Sequence, residues 1–196
     1  MNDQQLATDL AIAGAMTYEL DDYLLDDRLY RQMVVETPSG TKQPKMTLGA
    51  LLELVDNLSW YRTDLSAEQR KGLVSIENRV GAARRTYRDQ WAEKLTREMK
   101  ALLSSWQWYL DDVGRNPKAR EDYASEVHIR NRIDILKSAL ARADKMTSGE
   151  GQQLDQLDSR LQGMWQSGDY VGPSGEEKRY SSERAWWLFG SPAGQD

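Results

Sequence analysis

The chain has 196 residues, 39% of them hydrophobic, with a formal net charge of -5 and no cysteine. That is enough apolar material to bury a real core in one domain, and the negative balance gives no general attraction to nucleic acid or anionic membranes. Disulfides, thiolate metal sites and cysteine nucleophiles are excluded, no apolar run approaches the ~20 residues of a bilayer span, and the acidic start MNDQQLATDLAIAG is unlike a signal peptide, so a cytoplasmic protein is expected.

Leu6, Leu10, Ala13, Thr17, Leu20 and Leu24 recur at steps of three or four, which predicts a first helix from about Asp3 into DDRLYRQM. VVETPSGTKQPK, with two prolines and a glycine, reads as a loop. Thr47 is placed to cap a second helix whose stripe is Leu48, Leu51, Leu52, Val55 and Leu58. Ser66 and Gln69 have the capping-box spacing, in which hydroxyl and amide each satisfy an orphan backbone N–H. From there Leu73, Ile76, Val80, Ala83, Tyr87, Trp91, Leu95, Met99, Leu102, Trp106, Leu110 and Val113 keep the helical period without a slip. Unbroken, such a helix would be roughly 70 Å long, so either the molecule is elongated or the helix kinks, with Gly81 and Ser104-Ser105 as the expected places.

DDVGRNP ends it, with Gly114 suited to a C-terminal cap and Asn116-Pro117 to the start of the next helix. A fourth helix carries Tyr123, Val127, Ile129, Ile133, Leu136 and Leu140, and a shorter fifth holds Leu154, Leu157, Leu161, Met164 and Trp165. No alternating run is long enough to predict a sheet. The expected fold is all-α: an antiparallel, coiled-coil-like bundle of about five helices over residues 1–167, a polar linker over 168–179, and a C-terminal aromatic segment over 180–196 packing on the bundle, one domain overall.

Three patterns raise the question of chemistry. Glu19, Asp22 and Asp26 share a side of the first helix, a spacing that di-iron bundles use together with Glu-x-x-His motifs; with one histidine, His128, and no such motif, the favoured reading is a solvated acidic face and no metal or cofactor. Residues 70–100 hold nine basic residues against four acids, while residues 1–36 hold eight acids against two arginines. The stretch RVGAARRTYRDQW alone suits a phosphate backbone, but mutual neutralisation of neighbouring helices is the better reading, so no nucleic-acid partner is expected. His128 has neither a nucleophile elbow nor a phosphate loop beside it, and no catalytic residue is assigned.

The aromatic usage is unusual: seven Trp and nine Tyr against one Phe. Rings with a polar tip suit half-buried surfaces, clefts and interfaces. In SSWQWYLDD, Trp106 and Tyr109 lie three apart while Trp108 falls on another side of the helix, so they cannot all enter one core. In the tail SERAWWLFGSP, Ser181 or Ser182 can cap a short turn ended by Gly190 and Pro192, and Trp186, Trp187, Leu188 and Phe189 can hold that turn to the bundle or to another chain.

ELDDYLLDDRLY, TLGALLELV and the terminal WWLFG, in that order, resemble a group of uncharacterised bacterial helical proteins with YLL-D-LY, TLG-LLL and W-L-G-P-like elements. The resemblance implies a bacterial protein whose tail belongs to the fold, and no activity. The expected function is therefore a non-enzymatic helical module that binds a protein partner or a second copy of itself. The alternative is a bundle, or an enzyme, that holds a small molecule in a pocket walled by Trp and Tyr. A closed aromatic cavity would favour the second, and an exposed apolar surface the first.

Overall fold

The computed structural model describes residues 2–193. Of these, 67% are helical, in seven α-helices and short 3-10 turns, and the strands among them form only short antiparallel pairs. The chain divides into two compact units, residues 1–98 and 99–196.

In the first unit, Asn2 accepts the Gln5 N–H at 2.8 Å to start α1 (Asp3–Tyr18). The single first helix expected from the sequence is instead two. The chain breaks at Glu19, where Arg79 Nε donates to the Thr17 carbonyl at 3.0 Å, and α2 (Leu20–Leu25) ends at the residue before DDRLYRQM instead of continuing into it. Asp26 ends it with extended backbone, and its carboxylate is held by the Arg28 and Arg31 side chains.

The segment read as a loop folds back on itself. β1 (Arg31–Gln32) pairs with β4 (Lys45–Met46), and between them β2 (Val35–Thr37) pairs with β3 (Gly40–Lys42). Pro38 supplies the φ that a turn needs, and Gly40 takes φ +89, a left-handed value costly for other residues. Met33, Val35 and Met46 are buried. They let a ribbon of two- and three-residue strands persist that would not be stable alone.

Thr47 caps α3 (Leu48–Trp60), and the Ser66–Gln69 capping box opens α4 (Ala67–Thr86) as its spacing required. The long third helix is a correction: the chain breaks at Tyr87 (φ -111, ψ 48), not at Gly81 or Ser104-Ser105, and continues as α5 (Arg88–Arg115). The apolar period survives because the hydrogen bonds on both sides do, Tyr87 N to Ala83 O and Trp91 N to Tyr87 O, both 2.8 Å. A break that adds or removes no residue leaves no mark in the pattern. Leu6, Met16, Leu20, Tyr23, Leu48, Leu51, Leu58, Leu73 and Leu95 form this unit's core.

In the second unit the rest of α5 leads through Asn116, which accepts the Lys118 N–H, into a 3-10 turn at Pro117–Arg120. Gly114 remains within α5, which runs one residue past it. Then come α6 (Tyr123–Arg142) and α7 (Ser148–Gln162), the latter opened by a Thr147–Glu150 capping box. α7 stops short of Met164 and Trp165. There the chain enters β5 (Trp165–Tyr170), so part of the stretch read as linker is strand. Its partner is β6 (Phe189–Pro192), which follows a 3-10 turn at Trp186–Leu188; that turn starts after Ala185 without a serine cap. Residues 194–196 of the expected C-terminal segment lie outside the described residues.

Gly190 is what lets these strands meet. At φ +145 a Cβ there would stand 2.2 Å from the Gln166 carbonyl oxygen and 3.0 Å from Ser167 Cα. Gly190→Ala is expected to lower stability by about 2 kcal/mol, the scale of one strained backbone position, and to raise amide exchange across residues 165–170. Unchanged exchange there would contradict the register.

Candidate functional site

The two charged segments meet in the first unit. Arg97 reaches Asp27 at 3.1 Å and Arg79 reaches Asp21 at 3.5 Å. Of the carboxylates with metal-site spacing, Glu19 and Asp26 both pair with Arg31, at 3.2 and 3.1 Å. The Arg28 and Arg31 guanidinium groups hold the Asp26 carboxyl well below the usual range.

Two α5 residues missed by the sequence reading act one turn apart. Lys94, 3% exposed, donates to the Asp26 and Arg28 carbonyls at 2.5 and 2.6 Å, just past the end of α2. Glu98, 1% exposed, accepts from Thr47 Oγ1 at 2.6 Å and from the Gly49 N–H at 2.8 Å, at the start of α3. A cation thus sits where carbonyls lack partners and a carboxylate where N–H groups do. Burial, with Arg97 nearby, pulls the Lys94 ammonium below its ordinary pKa. The available signal was their phase: with Trp91, Leu95 and Met99 they complete an inward face.

In the second unit the three aromatic residues of SSWQWYLDD separate. Trp106 is fully buried and stacks on Tyr109 with centroids 5.3 Å apart. Tyr109 leads to Tyr123 (6.3 Å), Tyr123 to Trp165 (5.4 Å), Trp165 to Trp186 (5.1 Å) and Trp186 to Trp187 (6.0 Å). Of the tail residues, Trp187 and Leu188 are buried while Trp186 and Phe189 are half-buried. Tyr123 donates its hydroxyl to the Trp187 carbonyl at 2.6 Å. The Arg130 guanidinium lies 3.8 Å from the Trp187 ring centroid, with both Asp158 oxygens at 2.7 Å from its nitrogens. Arg130 and Asp158 carried no signal by themselves, because the fork forms only once α6 and α7 are side by side.

Trp108 points the other way and is 79% exposed. It stands on an open groove of about 670 Å³ whose α5 wall is Ser104, Ser105, Trp108, Tyr109 and Asp112 and whose α6 wall is Glu126 and Ile129. Helical spacing explains the first wall: Ser104, Trp108 and Asp112 follow at steps of four. Tyr109 donates to the Ala119 carbonyl at 3.2 Å. Burial, followed by the nearby carboxylates of Glu126, Asp122 and Asp112, holds its phenol above the usual range. The groove therefore combines one large exposed ring with a concentration of negative charge. His128 is exposed, its Nδ1 2.6 Å from the Ser125 carbonyl oxygen, and is not among the groove-lining residues.

Searches against protein-family models, curated proteins and solved structures return no match to this chain.

Proposed function

We propose that the chain is a helical protein–protein interaction module and that the groove beside Trp108 is its binding face. The observation that carries this reading is the 79% exposure of Trp108 in an open groove. Removing a tryptophan ring from water is worth several kcal/mol at an interface, and such rings are the commonest anchors of binding energy. A small-molecule pocket encloses most of its ligand. An open trough between two helices suits a chain segment laid along it.

Benzoylphenylalanine placed at Ser105 of the full chain, on the groove wall and leaving Trp108 intact, and irradiated in cells that express the protein natively, is expected to form a discrete covalent protein adduct. An adduct of twice the chain mass identifies self-association; any other mass identifies a different partner. The same group at Trp60, which is 53% exposed in the first unit, serves as the control. Equal labelling at both positions would overturn the reading.

A further inference from the structure

The second unit contains a worked example of how this protein holds a guanidinium. The Arg130 guanidinium lies over the Trp187 ring, 3.8 Å from its centroid, while the Asp158 carboxylate closes a two-pronged fork around its edge. The ring face offers negative quadrupole density and the carboxylate offers matched acceptors, so stacking and fork reinforce each other. Lys94 over the Tyr23 ring, 4.5 Å away, repeats the cation-on-ring half of the pattern.

The groove presents the same two components with the cation missing from its walls. Trp108 supplies the ring, Asp112 lies one helical turn further along α5, and Glu126 faces them from α6. No lysine or arginine is among the lining residues. Tyr109 is gripped from within by Trp106 and by its bond to Ala119, which fixes the floor on which an incoming side chain would rest. Ser104 and Ser105 extend the trough along α5 and provide hydroxyls at a solvated edge.

Resting on the reading of this groove as a binding face, we infer that its occupant is a basic segment of the partner protein, seated by an arginine side chain stacked on Trp108 between Asp112 and Glu126. Arginine fits better than lysine because its planar head stacks and forks at once, whereas an ammonium is a compact, strongly hydrated point charge. Charge complementarity also selects against acidic partners, whose carboxylates would face two like charges with no counter-ion in the walls.

The test is a titration of the full chain into a fluorescently labelled peptide of Arg-Gly-Ser repeats, read by polarisation, beside the same peptide with each arginine replaced by neutral citrulline. The arginine peptide is expected to bind at least about tenfold more tightly. Trp108→Ala, and separately Asp112→Asn with Glu126→Gln, should each reduce its affinity to that of the citrulline peptide. A control with Asp64→Asn and Glu68→Gln removes the same net charge elsewhere and should bind as the unaltered chain does.

Equal binding of both peptides, binding of neither, or equal losses in the groove and control variants would overturn the inference. Full competition by free arginine amide at the peptide's own concentration would also overturn it, by showing a small-amine site. Failure here beside a discrete adduct at position 105 would leave the groove as an interface for a neutral partner. Absence of that adduct removes the interface itself.

Discussion

Trp187→Ala is expected to lower the stability of the second unit by about 4 kcal/mol, as for a fully packed tryptophan truncated in a core. The ring is 4% exposed, meets Trp186 edge-on, and carries the Arg130 guanidinium on its face. Truncation opens a cavity and strips one side of a buried cation. Asp158 still holds Arg130 by its two bonds, so the pair survives in a poorer environment. Urea unfolding followed by near-ultraviolet circular dichroism should show a lower midpoint and loss of the signal from the coupled rings. Trp108→Ala should stay within about 0.5 kcal/mol of the parent, as exposed positions generally do. If the two substitutions cost the same, the tail does not hold this unit together as its contacts imply.

Glu98→Ala is expected to cost about 3 kcal/mol, the scale of losing two buried bonds to a charged group. Its carboxylate binds the Thr47 hydroxyl, which itself accepts the Ala50 N–H at 3.0 Å, and the Gly49 N–H directly. Removing it leaves a buried N–H at the start of α3 without this acceptor and frees the hydroxyl that caps the next. Glu98→Gln keeps one acceptor and turns a donor toward donors, so an intermediate loss is expected. Hydrogen exchange should rise first over residues 48–52. A loss under about 1 kcal/mol for the alanine variant would show that water replaces the carboxylate without penalty.

Much of the helical content could be read from the chain because helix faces are written in local spacing. Leu48, Leu51 and Leu58 on α3 and Tyr123, Val127, Ile133, Leu136 and Leu140 on α6 are buried where the period puts them. Thr47 and Ser66 cap as their positions suggest, since a cap is a contact across three residues at most, whereas Asn116 caps a 3-10 turn and α6 starts only after Asp122. Against this, the breaks at Glu19 and Tyr87 left no trace, because each keeps the phase of the apolar stripe. The strand pairs were invisible for a different reason. Two or three residues are too few to display alternation, and β5 finds its partner about twenty residues later.

Charge patterning was informative about segments and silent about pairs. The acidic start and the basic stretch were evident as local imbalances, and Arg79–Asp21 and Arg97–Asp27 do join them. Which basic residue would be buried was not, since Lys94 and Arg97 look alike in a sequence.

By itself, then, the sequence determined a mainly helical protein, the inward faces of its helices, several of their starting points, and an aromatic content beyond what one core stripe could hold. Those are properties of residues within a few turns of one another, where the backbone alone fixes who faces whom. Only the tertiary structure decided that Glu98 and Lys94 serve the ends of other helices and that Arg130 lies between Trp187 and Asp158. It alone locked Trp106 and Tyr109 into a chain of rings and set Trp108 in an open groove with Asp112 and Glu126. Most of those contacts join residues far apart in the chain, and their energy exists only after other elements have brought the partners within reach.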